Sequence, residues 1–232
     1  MARVLYELLG DDDRRFSPFS WRIRMALAHK ELETAYEPCG FTEKEKFAFT
    51  GSKTVPVLID GDRTVAESWA IAQYLEDAYP DAPTLFGGPQ GRALARFVSH
   101  WCDTALHTSV FRVIIGDLFQ VVRPVDRDYF RESREKRLGT TIEDAATQRD
   151  DWLPKLKIAL APLRAQLGER EYLSGDGPAY ADYVVFGALQ WARCASAFPL
   201  LDDEPAILAW RGRLLDRFGG LGRSVPALDV AA

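Results

Sequence analysis

Several things this chain has little of narrow its function. Its three cysteines, Cys39, Cys102 and Cys194, are far apart, odd in number and in no CxxC pair, which argues against a disulfide framework. The three histidines, His29, His100 and His107, form no HxxxH pair and have no neighbouring cysteine at ligand spacing, so no metal is expected. Basic residues are not in excess: 29 Lys and Arg stand against 34 Asp and Glu, for a net charge of −5. The aromatics are not interleaved with lysine or arginine, so a nucleic-acid partner is not expected either. No apolar run reaches membrane-spanning length, and the run at residues 3–9 is too short for a signal-peptide core. A cytoplasmic location with no membrane partner is the resulting expectation. What is present is 47% hydrophobic content over 232 residues, enough for one large or two smaller globular domains.

The two halves of the chain have different periodicities. Val4-Leu5-Tyr6-Glu7-Leu8 reads as a strand and residues 19–30 as a helix with Ile23, Ala26 and Leu27 on one face. A weaker strand candidate at 34–38 and an ambiguous segment at 41–50 follow. Strands near 56–60 and 63–66 and a helix over 67–78, carrying Ile71, Tyr74, Leu75 and Ala78, complete the half. The order βαβαββα implies a mixed sheet with a terminal hairpin. Proline and glycine then crowd residues 80–91. We therefore expect an α/β domain over 1–80, a linker over 81–91 and an all-α helical bundle over 92–232. In the second half Leu94, Phe97, Val98, Trp101 and Ala105 fall on one helical stripe, which would make Trp101 a core residue. Leu156, Leu160, Leu163 and Leu167 fall on another. The Arg-, Asp- and Glu-rich segment 124–151 reads as a solvated helix face.

Residues 54–68 are the most informative stretch. Pro56 opens a strand where it cannot donate to the ladder, and a cis Val55-Pro56 bond would turn the Val55 backbone outward to pair with an extended ligand. Glu67-Ser68 sets a carboxylate and a hydroxyl at a helix N-terminus, where a ligand's ammonium and carboxylate can both be held. Glu67 has a second reading as a first-turn acid, and Ser68 as a plain N-cap, but Val55-Pro56 upstream favours the ligand role. Upstream, Ser17-Pro18 fits an N-cap followed by proline at the first helical position. The Ser17 hydroxyl either caps only or also donates to a thiolate brought by a substrate. No histidine-acid pair lies near enough in sequence to make Ser17 itself a nucleophile. Cys39 and Cys102 read as small buried hydrophobes.

These motifs together resemble the glutathione S-transferase family. Ser17-Pro18-Phe19-Ser20 with Trp21-Arg22-Ile23-Arg24 is similar to the catalytic-serine motif of the tau and zeta classes, Val55-Pro56 to the cis-proline loop, and Glu67-Ser68 to the pair holding the γ-glutamyl group. The resemblance implies a thioredoxin-like N-terminal domain, with Ser17 stabilising the glutathione thiolate. Val55, Pro56, Glu67 and Ser68 would bind glutathione, with Lys53 or Lys44 on its glycine carboxylate. It further implies a hydrophobic substrate site that includes Phe19, His107 and Phe111, glutathione as cosubstrate without a metal, and a homodimer. Arg127–Glu135, Ile142-Glu143-Asp144, Ala181-Asp182-Tyr183 and Phe218–Arg223 resemble the bacterial β-etherase branch, whose members cleave lignin-derived β-aryl ethers with glutathione. In one departure from the family, Ala179 stands where transferases carry the Ser or Thr of a capping box, three residues before Asp182.

Overall fold

The apolar run near the N-terminus forms β1 (Arg3–Leu8) in the computed structural model of the chain, which describes residues 3–229. β1 pairs in parallel with β2 (Ala35–Cys39) and antiparallel with β3 (Val57–Asp60), which pairs antiparallel with β4 (Arg63–Ala66). The strand order is therefore β2-β1-β3-β4, a mixed sheet. Pro38 lies in β2, an edge strand, where a missing N–H breaks no second ladder. α1 (Pro18–His29) follows β1, and α2 (Ser68–Ala78) follows the hairpin. Where the second helix of the unit was expected, residues Lys44–Thr50 form a 3₁₀ stretch. It buries one side chain, Phe47, too little apolar surface to sustain a longer helix, and stops at Gly51 in the left-handed region with φ 75°.

The second half is helical throughout its described elements. α3 (Pro89–Trp101) runs through a π turn (Cys102–Leu106) into α4 (His107–Gln120). α5 (Arg127–Leu138), α6 (Ile142–Thr147), α7 (Arg149–Glu169), α8 (Tyr180–Ala195) and α9 (Pro205–Gly220) follow. A thioredoxin-like α/β domain and a helical domain thus make up the fold, and among the described residues no helix is long and apolar enough to cross a membrane. Leu156, Leu160, Leu163 and Leu167 of α7 are buried.

The other stripe behaves differently from its expectation. Leu94 is 66% and Phe97 71% exposed, and Trp101 is half-buried at the core margin. The inward positions of this helix are the small Ala95, Ser99 and Cys102, whose Sγ lies 3.7 Å from the Val184 carbonyl of α8. Small residues let α3 and α8 approach closely, and the larger apolar side chains are left on the outer face.

α8 is buried on nearly all sides and touches both domains. Trp21 of α1 stands edge-on to Phe186 of α8 at 6.0 Å, while Arg24, on the same helix, donates to Glu7 of β1. The Asp182 carboxylate accepts from the N–H groups of Leu173, Ser174 and Ala179 and from the Trp210 indole, at 2.8 to 3.2 Å. Ala179 has no side-chain acceptor to return the bond, so only Asp182's half of the capping box forms.

Candidate active site

Ser17 ends the loop before α1 with extended backbone (φ −67°, ψ 118°), and its Oγ accepts from the Ser20 N–H at 3.2 Å. The cap uses a lone pair and leaves the hydroxyl hydrogen to donate. The side of this turn away from the sheet is pressed by α8. A Cβ placed on Gly187 would lie 2.4 Å from the Pro18 carbonyl oxygen, so only glycine allows this approach.

The Val55-Pro56 bond is cis, and both residues line a cavity of ≈ 290 Å³ that Ser17 also lines. Glu67 reaches the same cavity from the end of β4 with φ 72° and ψ 126°, a backbone region that non-glycine residues rarely adopt. Its exposed side chain makes no cap bond. Ser68, one residue on, is buried and lies behind the wall rather than in it; its carbonyl accepts from the Tyr180 hydroxyl of α8 at 3.1 Å. Lys44 and Lys53 both line the cavity. Lys44 donates to the Tyr129 hydroxyl at 3.0 Å.

The helical domain supplies the opposite wall. Phe19 stands edge-on to His107 at 5.3 Å, His107 edge-on to Trp191 at 4.6 Å, and Phe111 is stacked on Trp191 at 6.0 Å. Burial, reinforced by the charge of Arg22, pushes the His107 imidazole down to about 4, so it is neutral at pH 7. It is therefore part of an aromatic wall and is not an imidazolium acid at neutral pH. Burial pushes the Cys39 thiol up to about 11 and the Cys102 and Cys194 thiols to about 12, which keeps them protonated and unreactive. Among the described residues, no group of three or more His, Cys, Asp or Glu is placed to hold a metal ion.

Among the cavity residues that sequence reasoning passed over are Phe41, Phe130, Arg134, Arg137 and Trp191. Phe130, Arg134 and Arg137 are spaced i, i+4, i+7 on α5, a helical face that the charge of the segment obscured. Trp191 lies on a helix apolar all round, which singles out no face.

The chain matches the family described as "Glutathione S-transferase, N-terminal domain" over residues 16–78 and "Glutathione S-transferase, C-terminal domain" over residues 93–218. Glutathione S-transferase U22 of Arabidopsis thaliana is 27% identical over 208 residues, covering 87% of this chain and 83% of the relative. Dichloromethane dehalogenase of Methylorubrum extorquens is 26% identical over 229 residues, covering 93% and 71%. A crystal structure of a glutathione S-transferase of Ceriporiopsis subvermispora in complex with glutathione superposes with a TM-score of 0.81 over 94% of this chain and 98% of its own. At 21% identity this last likeness is one of fold.

Proposed function

The chain belongs to the glutathione S-transferase superfamily, and on that premise we propose that it joins glutathione to an aromatic electrophile, with residues 1–80 binding glutathione and residues 92–232 the second substrate. Val55 pairs with the cysteinyl backbone of glutathione. Glu67 holds its γ-glutamyl ammonium, with the Ser68 N–H at the helix start on the adjacent carboxylate, and Lys53 holds its glycine carboxylate. Ser17 donates to the sulfur at the positive end of α1, which lowers the thiol pKa toward neutrality so that the thiolate forms before attack. The thiol proton passes to solvent. The sulfur then forms its bond to the electrophilic carbon as the leaving group departs with its electron pair. Proximity and thiolate stabilisation account for the acceleration.

The observation that carries this reading is the convergence of Ser17, Val55 and Glu67, distant in sequence, on one cavity that Phe19, His107 and Phe111 also line. In the β-etherase form of the reaction the sulfur attacks the β-carbon and a phenolate leaves, giving a thioether and, after protonation, a phenol. Support for that form is the sequence likeness of the helical half.

Purified protein, glutathione and a β-aryl ether compound should release phenol above the blank; a blank-level result removes the etherase form. Retention on immobilised glutathione tests the wider reading, since a scaffold that carries ligands without turnover need not bind it. From the resemblance we also take a homodimer in the cytoplasm, supported for the dimer by the outward Leu94 and Phe97.

A further inference from the structure

The arginines of α5 are not equivalent. Arg131 is saturated by Glu135 at 2.8 Å and Glu143 at 2.7 Å, and Arg127 donates to the carbonyls of Val122 and Gln120. Arg134 and Arg137, on the cavity side of the same helix, have no carboxylate within ion-pair distance among the described residues. The Arg134 guanidinium lies 4.6 Å from the Phe130 ring centroid and 5.3 Å from that of Phe41, with one hydrogen bond, to the Ser133 hydroxyl at 2.9 Å. The Arg137 guanidinium lies 5.2 Å from the centroid of Phe111.

Two neighbouring guanidinium groups held against rings, with no counter-charge, repel each other, and the half-buried Arg134 also loses hydration while Arg137 stays exposed. Burial and the charge of Arg137 push the Arg134 guanidinium down from its ordinary value. A planar anion would relieve both effects by accepting from the two forks at once. Glu67, the single acid on the cavity wall among the described residues, belongs to the glutathione end. From Arg137 the rings run through Phe111, Trp191 and His107 to Phe19, two residues from Ser17.

We infer that this chain's second substrate is an anionic aromatic electrophile, its carboxylate or similar acidic group seated on Arg134 and Arg137, its ring along Phe111 and Trp191, and its electrophilic carbon toward Ser17. The reaction assigned to that substrate rests on the transferase reading above; the anion site does not. With a chloro-nitroaromatic carboxylate, the glutathione sulfur forms a bond to the ring carbon, the carbon–chlorine bond breaks, and chloride leaves with the electron pair.

The test separates the two readings. Binding of 3,5-dinitrobenzoate and of its methyl ester is measured by calorimetry without glutathione. Turnover of 4-chloro-3,5-dinitrobenzoate and its methyl ester is measured with it, each rate divided by its uncatalysed rate. The wild type should favour the carboxylate over the ester by about tenfold or more, the worth of one charge-assisted hydrogen bond. The preference should vanish in Arg134→Gln/Arg137→Gln, persist in part in Arg134→Lys/Arg137→Lys, and leave glutathione affinity unmoved. Equal binding of acid and ester by the wild type overturns the inference. So does a preference that survives the double glutamine variant, or a loss of glutathione binding in that variant as large as the loss of benzoate binding. Selective benzoate binding by a protein that neither binds nor transfers glutathione supports the anion site and removes the transferase reading instead.

Discussion

The His107 imidazole packs edge-on against the Trp191 indole, ring centroids 4.6 Å apart, and this burial strips the ring of the water that would stabilise its charged form. A folded-state value of about 4 against about 6.5 in the unfolded chain means that the unfolded state binds more protons between those limits. Stability is therefore unaffected by His107 above about pH 6.5 and is lost as pH falls through that window toward 4. Urea midpoints between pH 7 and pH 4 should drop more steeply for the wild type than for His107→Phe. Parallel curves would show that the imidazole is not held neutral.

Ser17 caps α1 and, in the proposed reaction, donates to sulfur, and two substitutions separate these roles. Ser17→Ala should cost about 1 kcal/mol of stability through the lost cap, whereas Ser17→Gly should cost only a few tenths. Both should lower kcat/KM at pH 7 by roughly 100-fold and move the ionisation of bound glutathione upward, as removal of one preorganised donor does. Full activity in the glycine variant would confine Ser17 to capping.

Glu67 occupies a backbone conformation that costs on the order of 1 kcal/mol or more in a residue with a Cβ. Glu67→Gly should raise the urea midpoint while abolishing retention on immobilised glutathione. Glu67→Ala should abolish retention with no gain in stability. If the glycine variant is no more stable than the alanine variant, the strain is not there.

Gly187 positions the Ser17 turn through the Pro18 carbonyl. A Gly187→Ala methyl must push α8 and α1 apart, and overpacking of this kind costs about 1–3 kcal/mol. Because the displaced element carries Ser17, the ionisation of bound glutathione should rise as well, a change that loss of stability alone does not produce. Ultraviolet absorbance of the bound thiolate against pH reads it directly.

The hairpin and the two helix starts were legible because their signals are local. Pro56, the Asp60-Gly61-Asp62 turn and Ser17-Pro18 each dictate backbone geometry wherever they occur. The Leu94–Ala105 stripe was misplaced because periodicity identifies an apolar face without saying what covers it; the small residues Ala95 and Ser99 decide which side turns inward. Arg134 and Arg137 were hidden for the converse reason. Charge predicts a solvated face, and only the packing of α5 against α4 and the 3₁₀ segment puts this one in a cleft. Ser68 lies adjacent to Glu67 in sequence, but the chain enters α2 there and Ser68 is buried outside the cavity lining.

The two contacts of α8 with the α/β half have a consequence for how this chain can vary. Tyr180 meets the start of α2 and Gly187 the start of α1. They are seven residues apart, about 10 Å along the axis at the α-helical rise. One rigid helix thus gauges the separation of the two helix starts, independent of the connecting segments at 40–54 and 81–88. Side chains of α4 and α5 on the facing wall can change while the gauge stays set, so the cleft is free to change its choice of electrophile without altering the separation of the two helix starts.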